Sequence, residues 1–272
     1  MPARNNHALL VAYDGRPFLG YQPQGPALAT VGGVLLSALR CLGIQATPFG
    51  ASRTDARVQA FGQVASFQTR LDLDPTSLLT RLNDTLPSSV RVLAAARAHP
   101  SFHAHWSATG KVYRYRLAPE PTSPSDSDGL DFARLNFALR LLASRDDLAA
   151  FSASRERDKH KVRTLDSARL LEASPATGAL LEFSGAGFGR YQIRHLVAAA
   201  LAMARRQITP DELCAMSRGE QRHPPKAPAE GLCLWQVRYP LERDPFARLV
   251  PHWHLAPDCL DSFKTRDERA RG

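Results

Sequence analysis

Cysteine is scarce. The four in 272 residues, Cys41, Cys214, Cys233 and Cys259, stand far apart and form no Cys-x-x-Cys pair. That spacing speaks against both a zinc site and a disulfide framework, and the four are read as reduced thiols. Long apolar runs are lacking too. The longest early one, Ala8 to Tyr13, is too short to span a bilayer and lacks a secretory cleavage pattern, so neither a membrane span nor export is expected and the chain is read as cytoplasmic. Acidic residues are in deficit, 26 against 35 Lys plus Arg, for a formal charge of +9. Such a surplus favours a polyanionic partner, nucleic acid first. With 44% hydrophobic and 22% charged residues the chain has the composition of an ordinary globular protein, long enough for two medium domains.

Periodicity gives an order of elements. Ala8 to Tyr13 reads as a strand, followed by a loop rich in Pro and Gly. Val31 to Leu42 carries apolar residues at helical spacing, with Thr30 as N-cap and Gly43 as stop. Strands are predicted at Thr47 to Ala51 and Gln63 to Thr69, a helix from the Asp74-Pro75 cap to Leu82, and a strand at Val90 to Ala96. The same β-α-β-β-α-β order then returns: Lys111 to Leu117, helix Phe132 to Leu142, Val162 to Leu171, Ala179 to Phe183, helix Tyr191 to Arg206, a short helix after Thr209-Pro210, and Leu232 to Tyr239.

The expected fold class is therefore α+β, two ferredoxin-like halves with mainly antiparallel sheets joined around a central basic cleft. The expected domains are residues 1–100, carrying the reactive loop, and 101–245, with a C-terminal extension over 246–272. Pro119 to Gly129, rich in Pro, Ser and Asp, reads as a loop inside the second half.

Ser52-Arg53-Thr54-Asp55-Ala56-Arg57-Val58-Gln59-Ala60 lies between two predicted strands, where a scaffold can present side chains from a loop. Asp55 is its reactive candidate. The plain alternative is a turn in which Ser52, Thr54 and Asp55 only bond the nearby backbone. Other segments of the sequence favour the first reading. Tyr13-Asp14-Gly15, Phe18-Leu19-Gly20-Tyr21-Gln22, Gly62-Gln63-Val64, Leu82-Asn83 and Leu86-Pro87 are joined downstream by Ser101-Phe102-His103-Ala104, Ser107-Ala108-Thr109 and Lys111-Val112-Tyr113-Arg114-Tyr115. Gln192-Ile193-Arg194 and Pro228-Ala229-Glu230-Gly231-Leu232 complete the series. Together they resemble the tRNA pseudouridine synthase A family, whose reactive loop reads Gly-Arg-Thr-Asp-Ala-Gly-Val-His.

The resemblance implies an isomerase that detaches uracil from its ribose, turns it and rejoins it through carbon 5. The expected substrate is tRNA at anticodon-stem positions 38 to 40, with no cofactor and no metal. It implies Asp55 as the nucleophilic carboxylate, attacking ribose or base or assisting ribose deprotonation. Arg194 corresponds to the family's basic partner, a cation that within about 4–6 Å would favour an ionised carboxylate. The alternative for Arg194 is a solvated arginine on an amphipathic helix. Tyr113 corresponds to the active-site tyrosine, suited to stacking on uracil and moving a proton, although Tyr115 shares its strand face. Arg53 is assigned to base extrusion, a phosphate clamp being its alternative. Arg57, Gln59 and Arg190 are further RNA-binding candidates, and the basic residues of Arg155 to Arg163 are either a backbone contact or a solvated loop. The family also implies a homodimer sharing one tRNA.

Three departures stand out. Ser52 and Arg57 replace family glycines and Gln59 replaces the usual histidine, so loop shape and substrate choice are expected to differ. A catalytically inactive tRNA-binding relative is the main alternative. Gly185, Gly187 and Gly189 before a helix raise a remote one, a nucleotide-dependent enzyme with a dinucleotide-binding turn, against which stands Arg190 at the fingerprint's last glycine position. His103 and His105 have no carboxylate or cysteine company and are read as loop or interface residues.

Overall fold

A computed structural model describes residues 5–23, 29–119, 130–153 and 162–247. Arg155 to Lys161, nearly all of the Pro119 to Gly129 loop, Cys259 and most of the C-terminal extension lie outside the described residues. The architecture is mixed α+β with mainly antiparallel strands. The chain divides into two compact units, residues 1–109 with 233–272, and residues 110–232.

In the first unit β1 (Asn5–Tyr13) is followed by α1 (Val31–Cys41), β2 (Phe49–Gly50), β3 (Gln59–Thr69), α2 (Pro75–Thr85) and β4 (Val90–Arg97). β1 is central, antiparallel to β3 on one side and β4 on the other. One edge of β3 is shared end to end, antiparallel to β2 at Ser66 and Ala65 and parallel to β8 (Leu232–Arg238) at Gln59 and Ala60. Almost every residue of β1 is buried, which explains its continuous rather than alternating apolar run. Both helices start where their caps direct: the Thr30 hydroxyl accepts from Gly33 N–H at 3.2 Å, and the Asp74 carboxylate from Ser77 N–H at 2.7 Å. Gly43, at φ +79, ends the first helix as expected.

The second unit runs β5 (Gly110–Leu117), α3 (Phe132–Ala143), a 3-10 turn at Ala149–Phe151, β6 (Ser167–Ser174), β7 (Gly178–Gly185), α4 (Gln192–Ala204) and α5 (Pro210–Ser217). β7 lies between β5 and β6 and is antiparallel to both. α3 packs on β6 and α4, and its Leu135, Leu139 and Leu142 are fully buried. Thr209 and Glu212 form a capping box at the start of α5.

Two strands start four or more residues from their predicted starts. β3 begins at Gln59 rather than Gln63, because the parallel bridge to Cys233 and Leu234, distant in sequence, extends it. β6 begins at Ser167 rather than Val162. Arg163 instead bonds the 147–148 loop, its N–H donating to the Asp147 carboxylate at 2.9 Å and its carbonyl accepting from Leu148 N–H at 2.7 Å.

Leu139→Ala should lower the unfolding free energy by about 2–5 kcal/mol, as for other fully buried leucines. Urea denaturation checks this, and a change under about 1 kcal/mol would contradict the packing described.

Candidate active site

The Asp55 loop is held mainly by backbone. Gln63, fully buried on β3, accepts from Ser52 N–H at 3.1 Å through its side-chain oxygen and donates to Ser52 O at 2.7 Å. The Tyr13 hydroxyl meets the Thr54 hydroxyl at 2.8 Å, Tyr21 N–H donates to Thr54 O at 3.1 Å, and Arg57 N–H to Phe18 O at 3.2 Å. Val58 N–H closes a turn on Asp55 O at 3.2 Å. Glycine is needed where the two segments touch. A Cβ on Gly15 would stand 2.0 Å from Val58 O, and one on Gly20, at φ +101, 2.8 Å from Thr54 O. Thr54 is buried, Asp55 half-buried, and Arg53 and Arg57 exposed.

The two replaced glycines differ in consequence. Arg57 adopts φ 68, a left-handed conformation that glycine takes without strain, whereas Ser52 is not among the positive-φ residues. Gln59 lies on β3 rather than on the loop, and with only 7% of its surface exposed it offers RNA little area.

In the second unit Arg194 lies on α4 and is buried, not the solvated arginine of an amphipathic face. Its Nε donates to Ala227 O at 2.6 Å while its carbonyl accepts from Ala227 N–H at 3.0 Å, fastening the 223–231 segment to the helix. Tyr113 and Tyr115 share a face of β5 and are both buried, but their surroundings differ. The Tyr115 hydroxyl donates to Pro228 O at 3.0 Å, and burial first of all pushes its phenol up to about 12. Gly231 leaves room for that ring, since a Cβ there would lie 2.7 Å from Tyr115 Cζ. Tyr113 meets Phe188 edge-on at 5.4 Å. Arg190 and Arg194 both approach the ring of Tyr191, at 4.6 and 5.7 Å.

Lys111 is a residue that sequence reasoning passed over. It lies two residues before Tyr113 on the same strand face, and burial, aided by the charge of Arg163, pushes its amine down to about 8. Lysine at a strand end is ordinary in sequence, so no pattern separates it from a solvated one.

The glycine turn does not begin a dinucleotide-binding unit. β7, which leads into it, is antiparallel to both neighbours, so no parallel β-α-β unit starts there. Gly189 instead answers a close contact: a Cβ would lie 2.2 Å from Ser152 Oγ. His105 Nδ1 lies 2.9 Å from Ala51 O, and His103 stacks obliquely against Phe49 and Trp106. Among the described residues no three His, Cys, Asp or Glu side chains gather as a metal site.

Residues 138–240 match the family model described as tRNA pseudouridine synthase. Proteins called tRNA pseudouridine synthase A are similar over most of the chain. That of Exiguobacterium sibiricum is 33% identical over 239 residues, covering 85% of this chain and 95% of its own. That of Geobacillus kaustophilus is 33% identical, covering 85% and 93%. That of Lacticaseibacillus casei is 35% identical over 246 residues, covering 86% and 99%. These matches set the class as pseudouridine-forming isomerases. Shared residues over nearly the whole length of each relative place it more narrowly: the chain belongs to the tRNA pseudouridine synthase A family.

Two tests address this local physics. Arg57→Gly keeps the N–H bonded to Phe18 O and relieves a left-handed strain of about 1–2 kcal/mol, partly offset by glycine's greater freedom in the unfolded chain. Stability should rise by about 0.5–1 kcal/mol, seen as a higher urea midpoint at constant m-value. Lys111 loses its proton at about pH 8 when folded but near 10.5, the ordinary value for lysine, when unfolded. Between those values the unfolded chain holds more protons, so its contribution to stability rises with pH, and below pH 8 its cost is constant. Lys111→Met should flatten that rise. An unchanged slope between pH 8 and 10.5 would exclude the shift.

Proposed function

We propose that this chain isomerises uridine to pseudouridine in tRNA, at anticodon-stem positions 38 to 40, without cofactor or metal. The observation that carries this reading is family membership along nearly its whole length, combined with a half-buried Asp55 on a loop fixed by backbone contacts. The bond from ribose C1′ to uracil N1 breaks and a bond from C1′ to C5 forms. The C5 hydrogen leaves as a proton and N1 gains one, so the product is an isomer and no oxidant is needed.

Asp55 acts as the nucleophilic carboxylate, on a loop held by bonds from Tyr13, Tyr21 and Gln63. Tyr113, which corresponds to the family's active-site tyrosine, stacks on the uracil and relays a proton. Arg194 supplies a buried positive charge. Arg53, exposed on the loop, fills the gap left by an extruded base, and Arg57 and Arg190 contact RNA. The protein works in the cytoplasm as a homodimer sharing one tRNA. Both units are read as ferredoxin-like: the strand order β4-β1-β3-β2 supports this in the first, and β5-β7-β6 in the second.

Unmodified tRNA transcripts carrying tritium at uridine C5 provide the test. The parent should release tritium to water, and Asp55→Ala should be slower by at least about 10³-fold while still binding tRNA. Equal release from both would remove Asp55 from its role. Binding without release from either would identify an inactive relative.

A further inference from the structure

The entry to α4 holds an unusual concentration of charge. Tyr191, its N-cap residue, adopts φ 62 and gives the helix no side-chain cap. Three cations from two segments surround its half-buried ring: the Arg190 guanidinium at 4.6 Å, the Lys226 ammonium at 4.8 Å and the Arg194 guanidinium at 5.7 Å. Arg190 also donates to the Tyr191 hydroxyl at 2.7 Å. An electron-rich ring face attracts each cation, and so gathers charges that repel one another.

Some arginines of this unit are matched by carboxylates, among them Arg114 and Arg169 by Glu182 and Arg218 by Glu220. Among the described residues no carboxylate pairs with Arg190, Arg194 or Lys226. His195, in the first turn of the same helix, is pushed down to about 4, chiefly by burial and then by His223, with Lys226 and Arg194 adding to the effect. It is therefore neutral at pH 7 and adds no fourth charge. Arg190 and Lys226 are exposed.

We propose that Tyr191 organises Arg190 and Lys226 into a clamp for a backbone phosphodiester of the RNA substrate. Tyr191 is a positioning residue and Lys226 a direct phosphate contact. Cations held together on one ring suit a phosphate, whose charge also relieves their mutual repulsion. The clamp rests on the reading of this chain as an enzyme acting on RNA and adds to it the element that grips the strand.

The test compares Lys226→Gln, Tyr191→Leu and Tyr191→Phe with the parent, using an unmodified tRNA transcript. KM for pseudouridine formation, kcat, and the salt dependence of tRNA binding by filter retention are all measured. Lys226→Gln and Tyr191→Leu should raise KM about 5–20-fold with kcat within about twofold. Tyr191→Phe, which keeps the ring but loses the hydroxyl that accepts from Arg190, should raise KM less than Tyr191→Leu does. The slope of log affinity against log salt should fall by about 0.7–0.9 in Lys226→Gln, as for one lost phosphate contact. Unchanged KM and slope in Lys226→Gln would overturn the clamp, as would a fall in kcat alone in Tyr191→Leu. If the parent makes no pseudouridine the enzymatic reading fails, while the binding slopes still decide whether the clamp exists.

Discussion

The carboxylate of Asp55 is presented by a loop that the segment from Tyr13 to Tyr21 fastens in place. Gly15 and Gly20 let the two backbones approach more closely than any side chain allows, and the bonds from Tyr13, Tyr21 and Arg57 then fix the loop. Gln63 holds its opening residue from the far side with two bonds inside the core. Leaving those buried donors and acceptors unmet would cost about 1–3 kcal/mol each, so the loop's shape is tied to the stability of the first unit. Such rigidity suits the nucleophilic role proposed for Asp55, since it fixes the carboxylate's orientation.

A comparable linkage operates in the second unit, through different chemistry. Arg194 pairs with both polar backbone groups of Ala227, Tyr115 bonds Pro228 O, and Gly231 makes space for the Tyr115 ring. Three sequence-distant motifs thus fasten one segment to a helix and a strand. The guanidinium of Arg194 is held by main chain, and among the described residues no carboxylate pairs with it.

Much of this was legible in the sequence, and the reasons are local. Helices α1 and α2 start at Thr30 and Asp74 as read, since capping is decided by a few neighbouring residues. The start of β3 at Gln59 was not legible, because it depends on β8, far along the chain. The left-handed backbone of Arg57 was suggested by the glycine it replaces, whereas nothing near Ser52 could show that its glycine counterpart is dispensable there. Tyr113 and Tyr115 are indistinguishable by spacing, and what separates them is tertiary: Tyr115 bonds Pro228 O and Tyr113 meets Phe188. Lys111 escaped notice because its displaced pKa comes from burial, which one strand-end lysine cannot reveal.

Three non-glycine residues among those described have positive φ, and they fall into two groups. Arg206 has an ordinary structural cause. It ends α4 in a Schellman arrangement, with its N–H on Met203 O at 3.1 Å and that of Gln207 on Ala202 O at 2.9 Å. Arg57 and Tyr191 terminate no helix. One follows Asp55 by two residues and the other precedes Arg194 by three, each adjoining a candidate catalytic side chain. Backbone strain of order 1–3 kcal/mol persists only where surrounding contacts over-determine it or where function retains it. A glycine would remove the strain at either position, but it would also remove the exposed guanidinium at Arg57 and the ring that gathers cations at Tyr191. Both strained sites therefore hold a side chain suited to a polyanion, on a chain with a formal charge of +9.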